Sequence, residues 1–151
     1  MSAAARTYIR DTVAALVPTT LTQYRYVDFD GRRAAQSPSL EAAANATRLF
    51  EVATGEQAQV NLAGPTITAL DERLALRIRY EATAADRVAL HDAMRADQLQ
   101  AAKALRAGAW SGVSGLAALT ATPGRIEDIG DGEGRMFAHV AEVDIYISFD
   151  V

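Results

Sequence analysis

Cysteine is absent from the 151 residues of this chain, which excludes disulfides, thiolate zinc sites and cysteine nucleophiles together. A reducing compartment is compatible with that absence. Histidine is scarce, with His91 and His139 the only two, so metal and acid–base chemistry has few sources. Long apolar runs are missing. No stretch approaches the ~18 uninterrupted apolar residues of a spanning helix. The first twenty residues carry Arg6, Arg10 and Asp11 where a signal peptide would be apolar. A soluble chain, not exported by that route, is expected. Net positive charge is also lacking: the formal charge is −4 and the pI about 5.1. Arg6 and Arg10, Arg32 and Arg33, Arg77 and Arg79, and Lys103 with Arg106 are scattered, without interleaved aromatics. Specific nucleic-acid binding is not expected, because that affinity comes mainly from cationic neutralisation of phosphates.

What is present is enough for one core. Half of the residues are hydrophobic, and a globule of this length buries roughly 70% of the surface its unfolded chain exposes. No repeat, low-complexity tract or linker divides residues 1–151, so one α+β domain is expected: a mixed, mainly antiparallel sheet packed against one long helix and a shorter N-terminal helix.

Apolar residues at helical spacing, Tyr8 or Ile9, Val13, and Leu16 or Val17, predict a first helix over Ala3–Val17, which Pro18 ends. Tyr24–Phe29 reads as a strand running into the Asp30-Gly31 turn. A short helical turn is expected around Ser37–Ala44, then short strands over Arg48–Ala53 and Gln57–Leu62. Leu74, Leu76, Ile78 and Tyr80 alternate with Ala75, Arg77, Arg79 and Glu81, a strand with one apolar face. Thr83 and Asp86 resemble a capping box that opens the longest helix. That helix runs to about Arg106, with a stripe of Val88, His91, Met94 or Arg95, Leu99, Ala102 and Leu105, and Gly108 as terminator. A loop over Ala109–Gly115 holds the only tryptophan. Extended pieces over Leu116–Thr122 and Gly124–Ile129 are separated at Pro123-Gly124, and Asp131–Gly134 turns the chain into a final strand.

In that last strand Met136, Ala138 and Val140 are apolar at even positions, whereas Val143, Ile145, Ile147, Phe149 and Val151 are apolar at odd ones. Side chains alternate between faces, so the change predicts a β-bulge or bend near Ala141-Glu142. The odd residues are expected in the core, and the half before the bend at a subunit contact. On that reading Ile145→Asp unfolds the domain, whereas a charge change at His139 spares folding and weakens assembly.

No catalytic, cofactor-binding or metal-binding set emerges from the spacing. Regular alternation puts His139 on the opposite face from Glu142 and Asp144, so these make a metal site only if the bulge intervenes. His91 and Asp92 point about 100° apart on a helix and form no dyad. Ser111 or Ser114 could complete a triad only by long-range folding. Gly130–Gly134 lacks the lysine and hydroxyl of a phosphate loop and reads as a turn. Asp128, Asp131 and Glu133 do not have calcium-loop spacing. Trp110 reads first as a core anchor and second as an interface residue.

The order of elements resembles that of the tail terminator, or tail-completion, proteins of long-tailed bacteriophages. The likeness covers most of the chain and rests on the Leu-x-Leu-x-Ile-x-Tyr strand at 74–80 leading into the long helix, and on the Val-x-Ile-x-Ile-x-Phe-x-Val strand at 143–151. The resemblance implies a structural virion protein, not an enzyme and without cofactors. It would form a homohexameric ring at the head-proximal end of the tail, with itself, the tail tube protein and the head connector protein as partners and no membrane. Such a ring would be assembled in the host cytoplasm, would stop tube polymerisation and would use two different complementary surfaces per subunit. Charged patches would set register, an effect weakened by salt. Asp30, Gly31, Arg32, Arg33, Trp110, Asp131, Glu133 and His139 are the candidate interface residues. A head-closure protein is the neighbouring alternative. A small ligand-binding or enzymatic domain is the more distant one, requiring a pocket where Tyr80, His91, Met94 and Trp110 converge.

Overall fold

The computed structural model describes residues 2–18, 26–28, 48–54, 59–63, 66–82, 87–130 and 137–150. Their elements are α1 (Ser2–Ala14), β1 (Tyr26–Asp28), β2 (Arg48–Thr54), β3 (Gln59–Ala63), β4 (Thr66–Ala82), α2 (Arg87–Ala107), β5 (Leu116–Gly130) and β6 (Phe137–Asp150), with a 3-10 turn at Trp110–Gly112. The fold is α+β, as the alternation of period-two and helical patterns predicts. The strands form one sheet in the order β1-β2-β4-β6-β5, and β3 pairs with β4 off that path. The β1–β2 pair is parallel. All other pairs are antiparallel.

Strict alternation sorts the strands into two faces. Leu74, Leu76, Ile78 and Tyr80 of β4, Phe50 and Val52 of β2, and Ala141, Val143, Ile145, Ile147 and Phe149 of β6 point to one side and are buried. The helices cover that inner face, α1 through Ala5, Ile9 and Val13, and α2 through Leu90, Met94, Ala101, Ala102 and Leu105. Each such Ile, Leu or Met contributes about 1.5–3 kcal/mol by leaving water. The two helices are tied by Tyr8, whose hydroxyl donates to the Leu105 carbonyl at 2.9 Å. That carbonyl belongs to the last turn of α2, where helix geometry leaves acceptors open.

The predicted bend in the last strand is not there. β4 and β6 pair in one unbroken register from Ala69↔Asp150 to Ala82↔Phe137. The irregularity beside β6 lies one strand away, in β5, where the register shifts between Pro123 and Ile126 opposite Val143 and Ala141, and again between Leu116 and Ala118; a third shift falls between Asn61 and Leu62 of β3. Two facts account for the misreading. Val140 lies on the outer face and is nevertheless buried, as is Leu49 of β2 on that face, so apolarity at 140 does not mark the inner side. The inner position at 139 is filled by a polar residue, His139, which is fully buried.

The β5 irregularity is held from above by a side chain that the apolar pattern passes over. Gln98 of α2 is fully buried. Its Nε2 donates to the carbonyls of Glu142 at 2.7 Å, Gly124 at 3.1 Å and Arg125 at 3.3 Å. A Cβ on Gly124 would lie 2.9 Å from the Glu142 carbonyl oxygen, closer than side-chain carbons approach backbone, so glycine permits the contact. Replacing Gln98 with leucine keeps the volume and removes the donor. The expected loss is about 1–3 kcal/mol, the cost of leaving buried carbonyls without it, readable as a lower urea midpoint with an unchanged slope.

The helical stripe is also rotated from the one predicted. Leu99 is 46% exposed, whereas Asp97 and Gln98 are inside. Scoring positions by apolarity selected the leucine and missed the two buried polar neighbours. Outside the described residues lie the Asp30-Gly31 and Asp131–Gly134 turns, the segment at 37–44 and the Thr83–Asp86 capping box.

Candidate functional site

Several polar residues of the inner face gather in one row across one end of the sheet, beneath α2, whereas Glu72 and Asp28 on the same face pair with Arg6 and Arg10 of α1. Tyr26 pairs with Arg48, Tyr80 pairs with His139, and His139 pairs with Asp128. The Arg48 guanidinium lies over the Tyr80 ring, 4.6 Å from its centre, joining the two halves of the row. Helix α2 adds His91, Asp97 and Gln100.

At one end of the row the chain's two histidines converge on one carboxylate oxygen. His139 Nδ1 is 2.6 Å from Asp128 Oδ1, and His91 Nε2 is 3.0 Å from the same atom. The imidazole rings meet edge to face with centres 5.7 Å apart. Three elements supply the three residues. His139 is buried, whereas the side chains of His91 and Asp128 are 37% and 24% exposed, so the cluster opens to solvent on the helix side. Imidazole and carboxylate donors at this spacing can exchange protons, hold a divalent cation or lock the helix to the hairpin.

At the middle of the row Asp97 is fully buried with Arg48. The Tyr80 hydroxyl donates to Asp97 Oδ2 at 2.7 Å, and Arg48 Nε lies 3.8 Å from the same oxygen. Desolvation holds the Asp97 carboxyl above its ordinary range, while the Tyr80 hydrogen bond, Arg48 and Tyr26 draw it back. Burial, reinforced by the Asp97 charge, pushes the Tyr26 and Tyr80 phenols well above theirs. Tyr26 donates to Gln100 Oε1 at 3.0 Å. This group anchors β1, β2, β4 and α2 to one another through buried polar side chains, with Asp97 Oδ1 left without a hydrogen bond.

Two expectations about site residues change. His139, expected at a subunit contact, lies against α2 inside the domain. Because β6 is regular, Glu142 and Asp144 lie on the outer face, away from His139, where they pair with Arg77 and Arg125 (3.4 and 3.3 Å to Glu142) and with Arg73 (3.2 Å to Asp144). Trp110 packs partly buried against the margin of the core, and its Nε1 donates to the Arg106 carbonyl at 3.1 Å. It does not converge with His91, since from His91 to the end of α2 the helix rises roughly 24 Å. Tyr80 and Met94 are core residues. Asp30, Gly31, Arg32, Arg33, Asp131 and Glu133 lie outside the described residues. Sequence reasoning missed Asp128 as the partner of both histidines. The signal was the turn at 131–134, because any hairpin centred there folds residue 128 back toward the beginning of β6.

The outer face of the sheet is charged. Arg77 of β4 reaches Glu51, Glu142 and Glu127 at 3.5, 3.4 and 3.9 Å, and Arg125 reaches Glu127 and Glu142. Tyr146 stands out of this face, 48% exposed, with the Arg73 guanidinium 5.5 Å from its ring centre. No described helix is long and apolar enough to cross a membrane. No protein-family model and no curated protein sequence matches this chain.

Proposed function

We propose that this chain is a structural subunit that assembles with copies of itself into a ring, and that the ring is the tail terminator of a long-tailed bacteriophage. In that role it caps the head-proximal end of the tail tube, stops tube growth and presents a surface to the head connector protein. The observation that carries the reading is the layout: a long strand, β4, leads into the helix α2, and the β5–β6 hairpin returns beside β4. This is the order of elements on which the resemblance to tail terminator proteins rests.

The outer face adds a physical argument. Its arginines and carboxylates alternate across β2, β4, β6 and β5, and Tyr146 projects beside them, next to the Arg73–Asp144 pair. A mixed-charge face flanked by an exposed aromatic can fix register against a complementary surface, because wrong pairings bring like charges together. A tyrosine contributes area at low entropic cost and is enriched at interface centres.

Light scattering with mass measurement on the purified protein tests assembly. A closed ring of defined subunit number is expected, weakened by added salt and by Tyr146→Ala, with folding unchanged. A strict monomer at high concentration that does not associate with tail tubes would sink the reading. Deleting the gene from a phage that carries it separates the two ring functions. Tails of uncontrolled length identify a terminator, whereas normal tails that fail to join heads identify a head-closure protein.

A further inference from the structure

We propose that His91, Asp128 and His139 form a binding site for one divalent transition-metal ion, with zinc the cation that best suits the donors. The site is independent of the ring reading and stands or falls by itself.

Both histidines of the chain come from distant segments to the same carboxylate, and the three donor atoms lie within 4.8 Å of one another. Two imidazole nitrogens and a carboxylate oxygen are a donor set for zinc and its first-row neighbours. Calcium and magnesium prefer all-oxygen shells, and the thiolates that would favour softer ions are missing from the chain. Zinc holds nitrogen and oxygen ligands at about 2.0–2.1 Å, which puts tetrahedral ligand atoms about 3.3 Å apart. The 2.6 and 3.0 Å separations of the cluster are hydrogen-bond lengths. An ion therefore takes the place of the hydrogens between these atoms: the carboxylate oxygen withdraws by about 0.7 Å from His139 and about 0.3 Å from His91, and the two imidazole nitrogens, within 4.8 Å of each other, draw together.

The surroundings permit that exchange. His139 is clamped in the core, which fixes the innermost ligand, whereas His91 sits on the surface of α2 and can adjust. Its side chain and that of Asp128 are open to water, so an ion has a path in. Bound at the cluster, the ion ties α2 directly to both strands of the β5–β6 hairpin. Each ligating nitrogen must give up its hydrogen, which a neutral imidazole does by carrying it on its other ring nitrogen, so uptake selects the tautomers with hydrogen on His139 Nε2 and His91 Nδ1.

Untagged full-length protein, freed of metal with a chelator and dialysed, would be titrated with zinc chloride by calorimetry and with cobalt(II) by visible absorption. The expected result is one ion per chain with micromolar or tighter affinity, intense cobalt bands of low coordination number, and a thermal midpoint raised by zinc and restored by chelator. His91→Ala, at a half-exposed position, is expected to fold with an unchanged circular dichroism spectrum. It should lose affinity on the order of 100-fold or more, since even groups that merely support ligands cost 10–100-fold. Asp128→Asn is expected to lose cobalt absorption in the same way. Magnesium and calcium in millimolar excess should not displace zinc. No uptake by the unaltered protein, or undiminished affinity in His91→Ala, would overturn the proposal and leave the cluster as a carboxylate accepting hydrogen bonds from two imidazoles.

Discussion

Arg48→Met is expected to destabilise the fold by about 3–5 kcal/mol, the usual cost of stranding a buried charge by removing its partner. Arg48 of β2 and Asp97 of α2 are both buried, and the arginine also covers the Tyr80 ring. Methionine fills much of the same space without charge, so the loss reports the stranded carboxylate more than missing volume. The deficit should depend on pH in a definite direction. Asp97 is held above the ordinary carboxylate range by desolvation, and Arg48 is one of the groups that lowers it. Without Arg48 the native state favours the protonated acid still more than the unfolded chain does. A group with a raised native value stabilises the fold below its unfolded value and loses that contribution as pH rises through the native value. Arg48→Met should therefore be closer to the unaltered protein at about pH 5 than at about pH 8. The double variant Arg48→Met, Asp97→Leu should recover much of the loss at neutral pH. Urea denaturation at the two pH values measures all of this, and a pH-independent deficit would contradict the account.

Ile145→Asp and His139→Asp are both expected to be severe. Ile145 is fully buried in the centre of β6. Aspartate there forfeits the apolar contacts and buries an unpaired carboxylate, more than about 5 kcal/mol in all, comparable to the whole stability of a domain. At His139 the new carboxylate would sit against Asp128 at the end of the polar row, with an expected cost of about 3–5 kcal/mol. The structure thus replaces the division in which only Ile145 mattered for folding. The two substitutions differ in their response to acid, because protonation relieves a carboxylate pair but does not restore the isoleucine. Thermal melts followed by circular dichroism distinguish them, and a wild-type melt for His139→Asp would refute the buried placement of residue 139.

The α+β class and the faces of β4 and of β6 from Val143 onward were legible because simple alternation governs them: Leu74 to Tyr80 and Val143 to Phe149 are apolar wherever the inner face requires it. What escaped was everything polar inside. A reading that ranks positions by apolarity put Leu99 inward over Asp97 and Gln98, set Arg48 in an ordinary strand and turned the polar His139 into evidence for a kink. Each of these buried side chains is made tolerable by a partner from another element: Asp97 by Tyr80, Gln98 by the carbonyls of β5 and β6, His139 by Asp128. Those partners are fixed by register and helix rotation, which one sequence constrains only to within a residue or two. The His91–Asp128–His139 cluster was hidden for the same reason. Three elements must be docked before the two histidines share one oxygen.

The two register shifts of β5 bear on how the molecule behaves in a crowded solution. Among the described residues β5 is the last strand on its side of the sheet, and at fifteen residues it would, if flat, offer a long row of backbone donors and acceptors to any passing strand. Such rows seed uncontrolled aggregation. The shift at Pro123–Ile126 divides this one into two short, differently twisted pieces, and Pro123 removes a donor near the break. Gln98 and Gly124, which hold that break in place, therefore also keep this edge from presenting one continuous row of backbone groups to a neighbour. Contacts made across it are left to be specified by side chains.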